Sequence, residues 1–173
     1  MRTRLTLPAT LGLALATASV NAQTPASTPA PAAPTPPKAD TNVTVTDLTP
    51  TQGALPALLK TEIAKATAQN LTPFVELGAT WCGPCHHLQN SLGDKRMIDA
   101  FSGTYIIRLD VDAWKDQLKP LGFVSDSIPA IFAIDAAGKA TGPVITGGAW
   151  GEDIPENMAP PLKTFFRANL RKS

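Results

Sequence analysis

The sequence lacks three features: a long apolar run, an excess of charge of one sign, and an internal repeat. Its N-terminal apolar stretch, residues 5–20, is shorter than the ~20 residues that span a bilayer and contains Pro8. We therefore expect no membrane-spanning segment. With 15 basic and 14 acidic side chains in 173 residues, the chain offers no case for binding nucleic acid or an anionic membrane. Because no repeat or surplus amphipathic face indicates self-association, we expect a monomer.

Cysteine and histidine are also scarce, with two residues of each, and all four lie in the stretch Ala79–His87. No cysteine lies near the end of the N-terminal apolar stretch, which excludes a lipid-modified cysteine anchor. Structural zinc sites usually draw ligands from two separated segments. A single metal site formed by Cys82, Cys85, His86 and His87 is therefore the weaker reading of this stretch, and metal analysis of protein purified without chelator would test it.

The first forty residues have the composition of an export signal followed by a spacer. A basic head, Met1–Arg4, precedes the apolar stretch, and Val20–Ala22 presents small residues where a signal peptidase cleaves. We predict a signal peptide over 1–22, a Pro/Ala-rich flexible linker over 23–40 and a single domain over 41–173. We predict that the protein is exported to the periplasm of a Gram-negative bacterium. The alternative is that the signal is not cleaved and serves as a membrane anchor.

Cys82 and Cys85 have the spacing expected for thiol–disulfide exchange. Side chains three residues apart on a helix are neighbours, close enough for a disulfide. The pair follows the apolar run Phe74–Leu77 and begins an amphipathic stretch, which predicts that Cys82 lies at a helix N-terminus, where the dipole favours a thiolate. Pro84 suits the first helical turn. A disulfide across two intervening residues restrains little unfolded-chain entropy, so a purely structural role is disfavoured.

The residues Trp81–Cys85, WCGPC, resemble the active-site signature of the thioredoxin family, and the likeness extends loosely over residues 55–170. The resemblance implies an α/β domain with the thioredoxin fold, a central mixed β-sheet flanked by helices. It also implies a thiol–disulfide oxidoreductase with no cofactor besides the redox-active disulfide. In this chemistry Cys82 attacks the substrate and Cys85 resolves the mixed disulfide.

The residues between the cysteines, Gly83 and Pro84, are similar to those of the reducing members of the family. They favour a protein-disulfide reductase whose partners are protein disulfide or dithiol substrates and a membrane thiol electron donor or acceptor. A thiol oxidant or isomerase of the same fold is the first alternative. A metal-binding module or a partner-binding domain with idle cysteines is the alternative from another class.

Glu76 is the exception in the apolar run 74–79. It lies six residues before Cys82, where thioredoxins carry a buried acid. The resemblance implies that Glu76 accepts the proton of Cys85 through water during resolution. Burial would raise the pKa of this carboxyl toward the range of a working general base. The alternative is a Glu76 that faces solvent at a sheet edge.

The dipeptide Ile128–Pro129 matches a second family feature, a cis X-Pro bond that faces the cysteines. The resemblance implies that the backbone of Ile128 pairs with an extended substrate chain. The implied substrate-binding residues are Trp81, Gly83, Pro84, Ile128, Pro129 and Gly148. The role of His86 stays open: it stabilises the Cys82 thiolate, or it is a solvated side chain, as we expect for His87. The role of Trp150 also stays open: it contacts the substrate, or it packs against the rest of the domain.

The remaining pattern predicts alternating strands and helices. The predicted elements are an edge strand at 43–46, a helix at 54–68, a strand at 74–79, a helix from Cys85 that is bent or split near Gly93, a strand at 105–112, a short helix at 113–121 in which Trp114 packs, a strand at 130–134, a hairpin turn at 135–139 leading into 144–146, and a last helix that begins at Pro160–Pro161.

Overall fold

A computed structural model describes residues 43–171 of the chain. The elements are β1 (Thr44–Leu48), α1 (Leu55–Ala68), β2 (Thr72–Gly78), α2 (Gly83–Asn90), α3 (Lys95–Phe101), β3 (Thr104–Asp110), α4 (Val111–Leu118), β4 (Ala130–Ile134), β5 (Ala140–Thr146) and α5 (Pro155–Asn169). The predicted signal peptide and linker lie outside the described residues. Within those residues, no helix is both long enough and apolar enough to cross a bilayer.

The five strands form one mixed sheet in the order β1-β3-β2-β4-β5. β1, β3 and β2 run parallel, whereas β4 pairs antiparallel with β2 and β5 antiparallel with β4. The predicted mixed sheet with flanking helices is confirmed, as is the position of the first strand at its edge. Because β4 runs against β2, the beginning of β4 lies beside the end of β2, with Ala130 opposite Leu77.

Each face of the sheet is covered by a different set of helices. Val75 and Leu77 of β2 pack in a core with α1 and α4 on one face, and Phe74 packs with α2, α3 and α5 on the other. The alternation follows from the two-residue period of a strand. Trp114 is buried as predicted, and its indole Nε1 donates a hydrogen bond to the Leu48 carbonyl oxygen at 3.0 Å.

The second helix is split near Gly93, as predicted. A single 3₁₀ turn, Ser91–Gly93, separates α2 from α3. The Asp94 side chain then caps α3, since its Oδ1 accepts a hydrogen bond from the Arg96 amide at 2.8 Å. The 3₁₀ turn and the new cap together make α3 a separate helix.

Several predicted boundaries are wrong, among them the short helix, which spans Val111–Leu118, and the last strand, which begins at Ala140; two others have a clear local cause. The third strand ends at Asp110 rather than at residue 112, because the Asp110 carboxylate caps α4 by accepting bonds from the next turn's amides. The last helix begins at Pro155, which occupies the first-turn position predicted for Pro160. Pro160 and Pro161 lie inside α5, where they leave two carbonyls without an intrahelical amide.

The β4–β5 hairpin forms at the predicted turn and packs against α1. Gly138 adopts φ +78°, and a Cβ placed on it would lie 3.0 Å from the Leu59 Cβ. Gly151 has nearly the same conformation, φ +74°, but an added Cβ there meets nothing within 4 Å. The two glycines therefore carry the same backbone strain when substituted and differ in the steric contact.

We expect Gly138→Ala to destabilise the domain more than Gly151→Ala. The shared left-handed conformation costs about 1–2 kcal/mol for an alanine, and crowding against α1 adds roughly 1–3 kcal/mol at Gly138 only. Urea unfolding of both variants measures the difference. Equal losses of stability would show that α1 moves aside without cost.

Candidate active site

Cys82 and Cys85 form a disulfide at the N-terminus of α2. The S–S distance is 2.01 Å and the Cα atoms are 5.3 Å apart. Cys82 is the residue before the first helical position, and its Sγ accepts a hydrogen bond from the Cys85 amide at 3.2 Å. That amide belongs to the first turn, where backbone donors lack helical partners, so the helix directs partial positive charge at the Cys82 sulfur.

Both cysteines are covered in the disulfide form, although Cys82 lies at the start of a helix. Only 3% of Cys82 is exposed, and Cys85 is fully buried. The disulfide draws the Cys82 sulfur toward Cys85, and the side chains of Val111 and Ile128 pack against the pair. Trp81, the preceding residue, is 68% exposed and marks the open side of the site.

The Ile128–Pro129 peptide bond is cis, as predicted. Pro129 lies beside the disulfide end of the sheet because β4 begins at the next residue and runs antiparallel to β2. Gly147 donates a backbone hydrogen bond to the Pro129 carbonyl at 3.1 Å, and a Cβ on Gly147 would lie 3.4 Å from the proline ring. Gly147 is therefore the glycine that borders Pro129; the substrate-binding role of its neighbour Gly148 stays a prediction.

Two aspartates, Asp110 at the end of β3 and Asp112 in the first turn of α4, hold the loop that precedes Cys82. The Asp110 carboxylate accepts a hydrogen bond from the Thr80 amide at 3.2 Å, and Asp112 accepts one from the Trp81 indole at 2.7 Å. Neither aspartate was predicted from the sequence to belong to the site. The sequence did contain a signal for this contact. The two acids close the predicted strand that pairs with β2, and the cysteine loop follows β2, so both lie at the same end of the sheet.

The remaining candidate side chains sort into exposed and packed groups. His87 is exposed, and Trp150 packs in the core with its indole bonded to Asp153 at 2.9 Å. His86 is exposed, and its ring Nε2 lies 2.8 Å from the Thr80 carbonyl oxygen. Among residues 43–171, no group of three or more potential ligands is arranged to hold a metal ion.

Glu76 is buried in β2, with 3% of its surface exposed, which confirms the predicted burial. It faces the same side of the sheet as Gly78, where an added Cβ would lie 3.6 Å from the Cys85 Sγ. Glu76 is two residues back along the strand, roughly 7 Å from Gly78. A water molecule can bridge a gap of this kind between carboxyl and thiol.

Burial raises the pKa of Glu76 from 4.5 to about 7. Desolvation is the largest cause; the Arg108 charge and a Gln89 hydrogen bond oppose it, and the Asp47 charge adds to it. Within the described residues, its Oε1 has no hydrogen-bond partner. The carboxyl can thus change its protonation state near neutral pH.

A cavity of about 270 Å³ connects Glu76 with the surface. Its polar lining comes from β1, β2, β3 and α2, and includes Asp47, Glu76, His86, Gln89, Arg108 and Asp110. A polar space of this size accommodates several water molecules. Glu76 can therefore exchange protons with solvent through this cavity.

No family model and no curated protein matches the chain. Among solved structures, a disulphide isomerase from Xylella fastidiosa Temecula1 is 20% identical, with a TM-score of 0.50 over 65% of this chain and 88% of that one. A poplar thioredoxin h is 17% identical, with a TM-score of 0.47 over 76% and 99% of the two chains. A mutant thioredoxin from Halobacterium salinarum NRC-1 is 15% identical, with a TM-score of 0.45 over 79% and 97%. The first of these likenesses shows the fold of the chain.

The raised pKa of Glu76 predicts a pH-dependent loss of stability. A carboxyl whose pKa rises on folding contributes stability that is fully present below pH 4.5 and is lost as the pH rises through about 7. The loss is on the order of 3 kcal/mol. Urea unfolding of the disulfide form between pH 4 and 8 should show this decline in the parent and its absence in Glu76→Gln.

Glu152→Gln is the matched control, since it removes an exposed carboxylate outside the site. Its stability should follow that of the parent at every pH. If the Glu76→Gln and parent curves run parallel, folding leaves the pKa of Glu76 near its ordinary value of 4.5, and its assignment as a neutral-pH proton acceptor is wrong.

Proposed function

We propose that this chain, which has the thioredoxin fold predicted from its sequence, is an exported thiol–disulfide oxidoreductase that reduces protein disulfides. The observation that carries the proposal is the disulfide between Cys82 and Cys85 at the N-terminus of α2, in a buried cluster against which the side chain of Ile128 packs. A structural disulfide of this spacing would add little stability. Its place at a helix N-terminus suits a sulfur that cycles between thiolate and disulfide.

The reaction begins from the dithiol form. The Cys82 thiolate attacks one sulfur of a substrate disulfide, and the other substrate sulfur leaves as a thiolate. Cys85 then loses its proton to the Glu76 carboxylate through water and attacks the Cys82 sulfur. The second substrate sulfur leaves, so that the substrate gains two electrons and the Cys82–Cys85 disulfide forms.

The substrate would lie across the open side of the disulfide. Trp81 offers an exposed aromatic face there, and Ile128 packs against the cluster that holds the cysteines. Ile128 lies just before β4 begins, where an extended peptide can add its backbone to the chain. Gly83 and Pro84, both exposed, border the same surface, and we assign Pro129 and Gly148 to it as well.

Export and electron supply belong to the same proposal. The predicted signal peptide over residues 1–22 supports a periplasmic location, and a reductase in an oxidising compartment needs a continuous source of electrons. We assign that supply to a membrane protein with its own thiols, which would return the Cys82–Cys85 pair to the dithiol state by the reverse exchange.

The direction of electron flow follows from the reduction potential of the cysteine pair. Gly83 and Pro84 between the cysteines support a reductase, whereas the likeness in fold to a disulphide isomerase keeps the isomerase as the alternative. We expect a potential near or below about −250 mV, measured by Trp81 fluorescence in defined thiol buffers. A value near about −120 mV would identify an oxidant, and the absence of a reversible couple would rule out redox function.

Trapping of the mixed disulfide should distinguish the roles of the two cysteines. Cys85→Ser cannot resolve the mixed disulfide, so it should accumulate a covalent adduct with a test protein that carries exposed disulfides. Cys82→Ser, the matched control with the same change of atom, should form none. Mass spectrometry of non-reduced samples measures both, and an adduct in Cys82→Ser alone would reverse the assigned roles.

A further inference from the structure

Three charged residues lie side by side across the parallel part of the sheet. Asp47 of β1 is in register with Arg108 of β3, and Arg108 is in register with Glu76 of β2. On its other side Glu76 is in register with Ile131 of β4, which is apolar. A single guanidinium therefore lies between two carboxyl groups, one at the sheet edge and one in the interior.

The guanidinium of Arg108 is committed to the outer carboxylate. Its Nε donates to Asp47 Oδ1 at 2.7 Å, and its Nη2 donates to Asp47 Oδ2 at 2.6 Å. The inner carboxyl, Glu76, keeps an Oε1 without a hydrogen-bond partner among the described residues. The paired Nε and Nη2 donors of the planar guanidinium therefore face Asp47 and not Glu76.

The surroundings of Glu76 contain no competing permanent cation among the residues that line the cavity. Besides Arg108, the charged or titratable groups there are Asp47 from β1, Asp110 from β3 and His86 from α2; α2 also supplies the neutral Gln89 and the buried Cys85 beneath it. Among the side chains that line the cavity, the orientation of Arg108 thus has the largest influence on the charge state of Glu76.

We propose that Asp47 is a positioning residue, which holds the Arg108 guanidinium at the sheet edge and so keeps Glu76 free to take and release a proton. The inference rests on the proposed function, in which Glu76 serves Cys85. An Arg108 released from Asp47 would turn toward the buried carboxylate and hold it in the ionised form, as a weaker proton acceptor. Asp47 thereby acts on the reaction without contact with the cysteines.

The experiment follows the titration of Glu76 directly. The side-chain carboxyl carbon of Glu76 is observed by NMR in the disulfide form, and its signal is assigned by its loss in Glu76→Gln. In Asp47→Asn the pKa of Glu76 should fall below the parent value of about 7. In Arg108→Gln it should rise. Asp99→Asn, which removes the acid of the exposed Asp99–Lys163 ion pair between α3 and α5, should leave it unchanged.

The double variant Asp47→Asn/Arg108→Gln separates positioning from direct charge. If Asp47 acts mainly through Arg108, the Asp47→Asn change should lower the pKa of Glu76 much less when Arg108 is already Gln, where only the direct effect of the Asp47 charge remains. A full Asp47→Asn effect that persists without Arg108 would overturn the proposal, because it would show that Asp47 acts on Glu76 directly. An unchanged pKa of Glu76 in Asp47→Asn would overturn it as well.

A second readout keeps this inference distinct from the proposed function. The rate of mixed-disulfide resolution should fall in Glu76→Gln and, less strongly, in Asp47→Asn. An unchanged rate in Glu76→Gln would remove Glu76 from the reaction, and the NMR titration would still decide whether Asp47 positions Arg108. A slowed rate in Asp47→Asn with an unchanged titration would assign Asp47 a merely structural effect.

Discussion

The parallel pairing of β2 with β3 is the constraint on which the site depends. Its register runs without a break from Thr72 opposite Thr104 to Gly78 opposite Asp110. Because the two strands end together, the loop after β2, which leads to Cys82, emerges beside the capping carboxylate of Asp110. A slip of one residue would exchange the two faces of the sheet. It would turn Glu76 away from α2 and bring an apolar side chain into its place.

This arrangement lowers the stability of the domain, because it buries the carboxyl group of Glu76. An ionised carboxyl loses hydration in the sheet, and the nearest cation already binds Asp47. An apolar residue at this position would stabilise the domain at neutral pH. Proteins retain such groups where the chemistry needs them, and sites of this kind are commonly less stable than the scaffold permits. The cavity beside Glu76 moderates the cost, since it leaves a path for solvent.

The antiparallel strand β4 completes the site from the other side. Its first residue, Ala130, is opposite Leu77, so the chain that enters β4 must pass the end of β2. This places the side chain of Ile128, the residue before Pro129, against the cluster of Ala79 and the two cysteines. If β4 ran parallel to β2, the same residues would lie at the opposite end of the strands, away from the cysteines. The mixed direction of the strands therefore assembles a site from segments more than forty residues apart in the sequence.

Local patterns were sufficient for much of this protein. The residues around Cys82 and Cys85 predicted a disulfide at a helix start, and the apolar neighbours of Glu76 predicted its burial, because both depend on adjacent residues and on the period of a strand or helix. The start of α5 was misplaced since Pro155 and Pro160 both suit a first helical turn and only packing chooses between them.

Other features depended on the tertiary structure alone. The commitment of Arg108 to Asp47, the bond from Trp81 to Asp112 and the contact of Gly147 with Pro129 each join residues from separate elements. Strand order and register decide which of them meet. The sequence by itself determined the cysteine pair at a helix start and the acid in a buried strand, whereas the sheet determined their partners, because register is a property of paired strands and has no signature in either strand alone.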